Sequence, residues 1–182
     1  MYSGENPTAI RSQEWLCDAL IALMRGKPYS SITVMDICRK ADLSRQTFYN
    51  FFESKDEVLR FLLQRQYMEQ FNGLRELDKI SMSDAVNAFA DLLVKNRDVF
   101  VLMLQNRLDG IITSEIGACV ALFADRFSVR ARDECREYGE AFLCGALAQT
   151  MLCWFRSEKP IDIDELCNLL LSILHGKYYE IV

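Results

Sequence analysis

The stretch SRQTFYNFFESK, Ser44 to Lys55, sets four aromatic rings, Phe48, Tyr49, Phe51 and Phe52, between an arginine and a lysine. Ser44 and Ser54 are residue types that cap helices, so the pattern predicts a short helix over Arg45–Phe51 and a new one from Lys55. Asp56 and Glu57 then fall in a first turn, where the helix dipole favours carboxylates. Phe48 and Phe52 lie four apart and share one face, which suits burial. The other side carries Arg45, Gln46, Thr47, Tyr49 and Asn50, all able to hydrogen bond. Phe51 is assigned to neither face.

Upstream, Thr33 is an expected N-cap for a helix over Val34–Ala41, with Val34, Ile37, Cys38 and Ala41 inward. Asp42 tolerates the left-handed turn needed to leave it. Pro7-Thr8 opens a first helix with an expected apolar face of Ile10, Trp15, Leu16, Ala19, Leu20 and Leu23, and Gly26-Lys27-Pro28 ends it. One packing helix followed by two short helices around a tight turn makes a helix-turn-helix. Its polar side suits duplex DNA. Arg45 can pair with guanine, Gln46 with adenine, and the methyl of Thr47 can meet thymine. The Tyr49 hydroxyl and the Lys55 ammonium can reach phosphates.

Downstream, apolar spacing predicts a helix from Lys55 past Phe71, then helices near Ser83–Lys95, Asp98–Asn106, Ile112–Phe127, Arg132–Arg156 and Asp162–Leu174. With three prolines and eight glycines in 182 residues, the chain reads as all-α. The expected division is a three-helix DNA-binding domain over 1–54 and a helical dimerisation and effector domain over 55–182. The long helix from Lys55 would belong to both.

Hydrophobic residues make up 51% of the chain and charged ones 26%, enough to bury a sizeable core. No window is apolar enough for a membrane span, and the N-terminus lacks the pattern of a signal peptide, so a cytoplasmic location is expected. The seven cysteines include no CxxC pair and sit among apolar neighbours, as small core residues do. With one histidine, no metal site or cofactor is expected. Nothing suggests a nucleophile or phosphate loop, so catalysis is not expected. The net charge is −5. Residues 25–60 nevertheless hold seven basic against five acidic side chains, and this asymmetry suggests two separate tasks.

The run ITVMDICRKADLSRQTFYNFFESKDEVL, Ile32 to Leu59, resembles the DNA-binding segment of the TetR/AcrR family of transcription regulators. The resemblance rests on Ile32, Thr33, Ile37, Ala41, Ser44, Thr47, Tyr49, Phe52, Ser54 and Lys55 at unbroken spacing. It implies a homodimeric regulator, commonly a repressor, that sets its short helices in successive major grooves of a near-palindromic operator. It also implies base-edge positions at Arg45, Gln46 and Thr47, phosphate anchors at Tyr49 and Lys55, and a backbone contact at Thr33. With Ser44 and Asn50 these make up the candidate DNA-binding set. Asp42 replaces a common turn glycine, Cys38 a common alanine, and Phe51 an aromatic with a polar tip.

In the remaining two-thirds, Tyr138–Phe155 is nearly uncharged after Glu140, and the helix is expected to be buried almost all round. Gly145, Ala146 and Ala148 would permit close helix approach. Leu166, Leu169, Leu170, Ile173 and Leu174 form a second stripe, and the two helices suit an intersubunit four-helix bundle. Phe100, Met103, Phe123, Tyr138, Phe142 and Trp154 are candidates to line a pocket for an apolar or neutral small-molecule effector. The alternative function is a helix-turn-helix protein that acts through a protein partner with little direct DNA binding.

Overall fold

A computed structural model describes residues 7–123 and 133–176, apart from the side chains of Arg75, Glu76, Phe123 and Asp133. Its α-helices are α1 (Pro7–Met24), α2 (Val34–Ala41), α3 (Arg45–Phe51), α4 (Lys55–Phe71), α5 (Met82–Lys95), α6 (Arg97–Gln105), α7 (Asp109–Phe123), α8 (Arg136–Arg156) and α9 (Ile163–Leu174). No strand occurs among the described residues. None of the described helices is long and apolar enough to cross a membrane.

Local chemistry sets most of the boundaries. The Thr33 hydroxyl accepts from the Asp36 amide, and the Asp36 carboxylate accepts from the Thr33 amide, which closes a capping box on α2. Ser44, Ser54 and Asp162 cap α3, α4 and α9. Asp42 leaves α2 with a φ of 55°, in the left-handed region. The helix expected from Ser83 begins at Met82 behind a Ser81–Asp84 capping box. Short 3₁₀ turns at Tyr29–Ser31 and Asn72–Glu76 were not expected from periodicity, because each is too brief to show any. The C-terminal part of the helix expected over Ile112–Phe127 lies outside the described residues.

Helix α4 organises the packing. It contacts α1 on one side and α5 and α7 on the other, while α7 packs on α8 and α5 on α9. One cluster of buried residues therefore runs from Leu16 through Leu59 and Leu63 to Phe100, Ile112, Met151 and Leu170. At the α7–α8 crossing, a Cβ added to Gly117 would stand 3.0 Å from Cys144 Sγ, so the close approach uses the missing side chain.

Two expected faces are corrected. Ile10 and Trp15 are 43% and 48% exposed, whereas Ala9, Ser12, Gln13, Cys17 and Met24 are buried with Leu16, Ala19 and Leu20. α1 must face both α2 and α4, which turns its buried arc away from the two large side chains. Within one chain α8 is not buried all round. Ala148, Met151 and Leu152 are its buried residues, while Tyr138 and Phe142 are 76% and 66% exposed. α7 covers one flank of α8, and the opposite flank is left open.

Candidate nucleic-acid interface

The placement of α3 begins with its buried side. Phe48 and Phe52 are 0% and 1% exposed, their ring centroids are 5.9 Å apart, and Phe52 meets Phe61 of α4 edge-on at 5.5 Å. Truncating a ring so buried typically costs about 3–5 kcal/mol. Ile37 is fully buried and Leu43 half-buried in the same cluster. Phe51 is half-buried, its ring 6.4 Å from that of Phe52, so it packs along the edge of this core.

The opposite side is open. Arg45, Gln46, Tyr49 and Asn50 are exposed. The Arg45 guanidinium lies 5.9 Å from the Tyr49 ring centroid, a cation–π spacing that holds both side chains over the same patch. Thr47 is less available. It is half-buried, its amide donates to Ser44 Oγ at 3.0 Å, and the two hydroxyls lie 2.8 Å apart. Ser44 thus serves as the helix cap and fixes the Thr47 side chain. Thr33 is exposed at the start of α2, its hydroxyl donating to Asp36 Oδ2 at 2.9 Å. The Lys27 ammonium donates to the same oxygen at 2.8 Å. That hydrogen bond, with those from Thr33, holds the Asp36 carboxyl well below the usual carboxylate range.

Lys55 has a second set of partners. Its ammonium donates to the Tyr29 and Ile32 carbonyl oxygens at 2.7 and 2.8 Å and lies 4.2 Å from the Tyr29 ring centroid. Two of its three N–H donors are thus taken by the turn before α2. Burial pushes its pKa down, with Asp56 opposing the shift. Tyr29 is the centre of this arrangement. Its hydroxyl donates to Asp56, and its amide donates to Asn106 Oδ1 at 2.7 Å. Tyr29 and Asn106 lie 77 positions apart in sequence, so no local pattern could pair them.

The residues assigned to an effector pocket lie in different settings. Phe100 and Met103 are fully buried core residues, and Tyr138 and Phe142 stand on the open flank of α8. Trp154 packs on Phe155 and donates its indole N–H to the Ile161 carbonyl at 2.8 Å. The Phe123 side chain lies outside the described residues. A small apolar cavity of about 50 Å³ lies instead between α4, α5, α7 and α8, lined by Tyr67, Phe71, Phe89, Ile116, Cys119 and Leu147 among others. The Tyr67 hydroxyl is buried there without a hydrogen-bond partner among the described residues. Burial pushes its pKa up, and pushes the Cys119 thiol up to about 12.

A buried aromatic pair under an exposed polar face, on the second helix after a left-handed turn, defines a helix-turn-helix protein. Residues 16–61 match the model described as bacterial regulatory proteins, tetR family. The likeness to the tetR family is carried by this N-terminal unit. The chain is similar to the dhaKLM operon transcriptional activator DhaS of Lactococcus lactis, with 34% identity over 35% of this chain and 34% of that protein. It is also similar to the uncharacterized HTH-type transcriptional regulator YxbF of Bacillus subtilis, with 30% identity over 56% of this chain and 28% of that protein. The matches thus span about a third of these relatives' lengths. Among solved structures, Lin0861 of Listeria innocua shares the fold with a TM-score of 0.80 at 15% identity, over 97% of this chain and 96% of that one.

Proposed function

We propose that the chain is a sequence-specific DNA-binding transcriptional regulator, a repressor that acts as a homodimer on a near-palindromic operator. The observation that carries this reading is the two-sidedness of α3, with Phe48 buried and Arg45, Gln46, Tyr49 and Asn50 exposed around it. Residues 1–54 read DNA, with Thr33, Ser44, Thr47 and Lys55 completing the contact set, and residues 55–182 dimerise and sense. The uncovered flank of α8 and the exposed Ile173 of α9 supply apolar surface for the dimer. A small apolar or neutral effector would enter between α4 and α7 beside the Tyr67 hydroxyl. At about 50 Å³ that cavity is far below the roughly 300–1,000 Å³ of ligand pockets, so entry must part the helices around it. Parting them displaces α4, and with it α3, which weakens operator binding by linkage.

The test is selection from random duplex DNA with the purified protein beside Arg45→Ala. Enrichment of an inverted repeat by the parent, blurred in the variant, supports the reading. Equal enrichment by both removes Arg45 from the base-reading set. No enrichment by a folded parent at low salt favours action through a protein partner, a reading that the small cavity and the engaged Lys55 ammonium also motivate. A relative bearing the name of an activator makes the sign of regulation a matter for a reporter assay.

A further inference from the structure

Helices α4 and α7 share the apolar core, and a group of polar side chains also joins them. Glu115 of α7 is a carboxylate only 4% exposed, and each of its oxygens is taken. Oε1 accepts from Arg60 Nη1 at 2.8 Å, and Oε2 accepts from Gln64 Nε2 at 2.8 Å, both from α4. Arg60 Nη1 also donates to Ser114 Oγ at 2.8 Å, so the guanidinium grips two successive residues of α7. Three polar bonds thus span residues 51 to 55 positions apart in sequence.

The location of this knot matters more than its strength. Arg60, Gln64, Tyr67 and Phe71 fall on one face of α4 at helical spacing, as do Glu115, Ile116 and Cys119 on α7. The cavity beneath Tyr67 therefore begins one turn beyond the polar bonds. In the other direction, Phe61, next to Arg60, packs on Phe52 at the end of α3. A groove lined by Tyr49, Asn50, Phe52, Glu57, Arg60 and Gln64 runs from the exposed face of α3 to the same two side chains. Apolar contacts between helices tolerate sliding, whereas charge-assisted hydrogen bonds to a buried carboxylate fix register. Burying a carboxylate contributes little net stability compared with an apolar pair of similar size. A register role explains its presence better than stability does.

We infer that Glu115 is a positioning residue for DNA reading: with Arg60 and Gln64 it locks α4 against α7 and so holds α3 at the angle that engages a duplex. The inference rests on the DNA-binding function proposed above. Arg65–Glu14, an ion pair of the same 2.8 Å length joining α4 to α1, is half-exposed on both sides and sets no such register.

The double variant Arg60→Met/Glu115→Leu replaces the knot with apolar side chains of similar size and is expected to unfold at a temperature close to the parent's. Its affinity for the duplex that the parent selects is expected to fall at least tenfold, whereas Glu115→Gln, which keeps hydrogen bonds to both partners, stays within about threefold. The control Glu14→Ala/Arg65→Ala binds as the parent does. Hydrogen exchange on the DNA-free proteins decides the lock separately, with α4 amides near Arg60 expected to exchange at least tenfold faster in the double variant. Unchanged exchange overturns the inference, as does an unchanged affinity for the selected duplex. If the parent selects no duplex, the DNA-binding reading fails and exchange alone decides whether the lock exists.

Discussion

Lys55 donates to the carbonyls of Tyr29 and Ile32 and is also a candidate phosphate anchor, two roles that different measurements separate. Lys55→Met leaves both oxygens without that donor and is expected to cost about 1–3 kcal/mol in denaturant unfolding. If the third N–H reaches a phosphate, the slope of log affinity against log salt falls by about 1 in the variant. An unchanged slope removes Lys55 from the contact set. Asp36 gives a prediction in pH. Its folded pKa lies below the unfolded value near 3.9, so its stabilisation is complete above that value and is lost as pH falls toward the folded one. The melting temperature of Asp36→Asn is therefore expected to lie below the parent's at pH 6, and the gap to close below pH 4. A gap that persists undiminished at pH 2 would assign the effect to something other than the carboxylate charge.

Helices are where the sequence is easiest to read. Ser44 accepts from the Thr47 amide at 3.0 Å, the usual form of an N-cap. Ser44→Ala is expected to lower stability by about 1 kcal/mol and, by freeing the Thr47 side chain, to reduce discrimination between duplexes. A variant equal to the parent in both respects would contradict the coupling of cap and contact. The boundaries of α2, α3, α4 and α9 are legible because Thr33, Ser44, Ser54 and Asp162 act within three residues of themselves. The Asn106–Tyr29 bond and the knot at Glu115 are not, because they depend on how distant helices cross. The lining of the cavity at Tyr67 is hidden from the sequence for the same reason. Phe100 and Tyr138 share a residue class with Tyr67 and Phe89, but only helix packing decides which rings border an empty space.

At the scale of the molecule, the open flank of α8 is the feature one chain leaves unexplained. Tyr138, Phe142, Gly145, Gln149 and Cys153 follow one another at helical spacing along it, and a Cβ at Gly145 would meet nothing within 4 Å in the single chain. Replacing this glycine should strengthen the isolated helix by up to about 1 kcal/mol, since glycine is a poor helix former. A bulky side chain there does harm only if a second α8 comes close. Gly145→Leu is therefore expected to fold at least as stably as the parent within each subunit, yet to sediment as a monomer, with the parent expected to sediment as the proposed dimer. Because both half-sites must be held together, the same variant should lose most of its affinity for a two-half-site operator while binding a single half-site as the parent subunit does. Dimeric Gly145→Leu with full operator affinity would move the subunit contact away from this flank of α8.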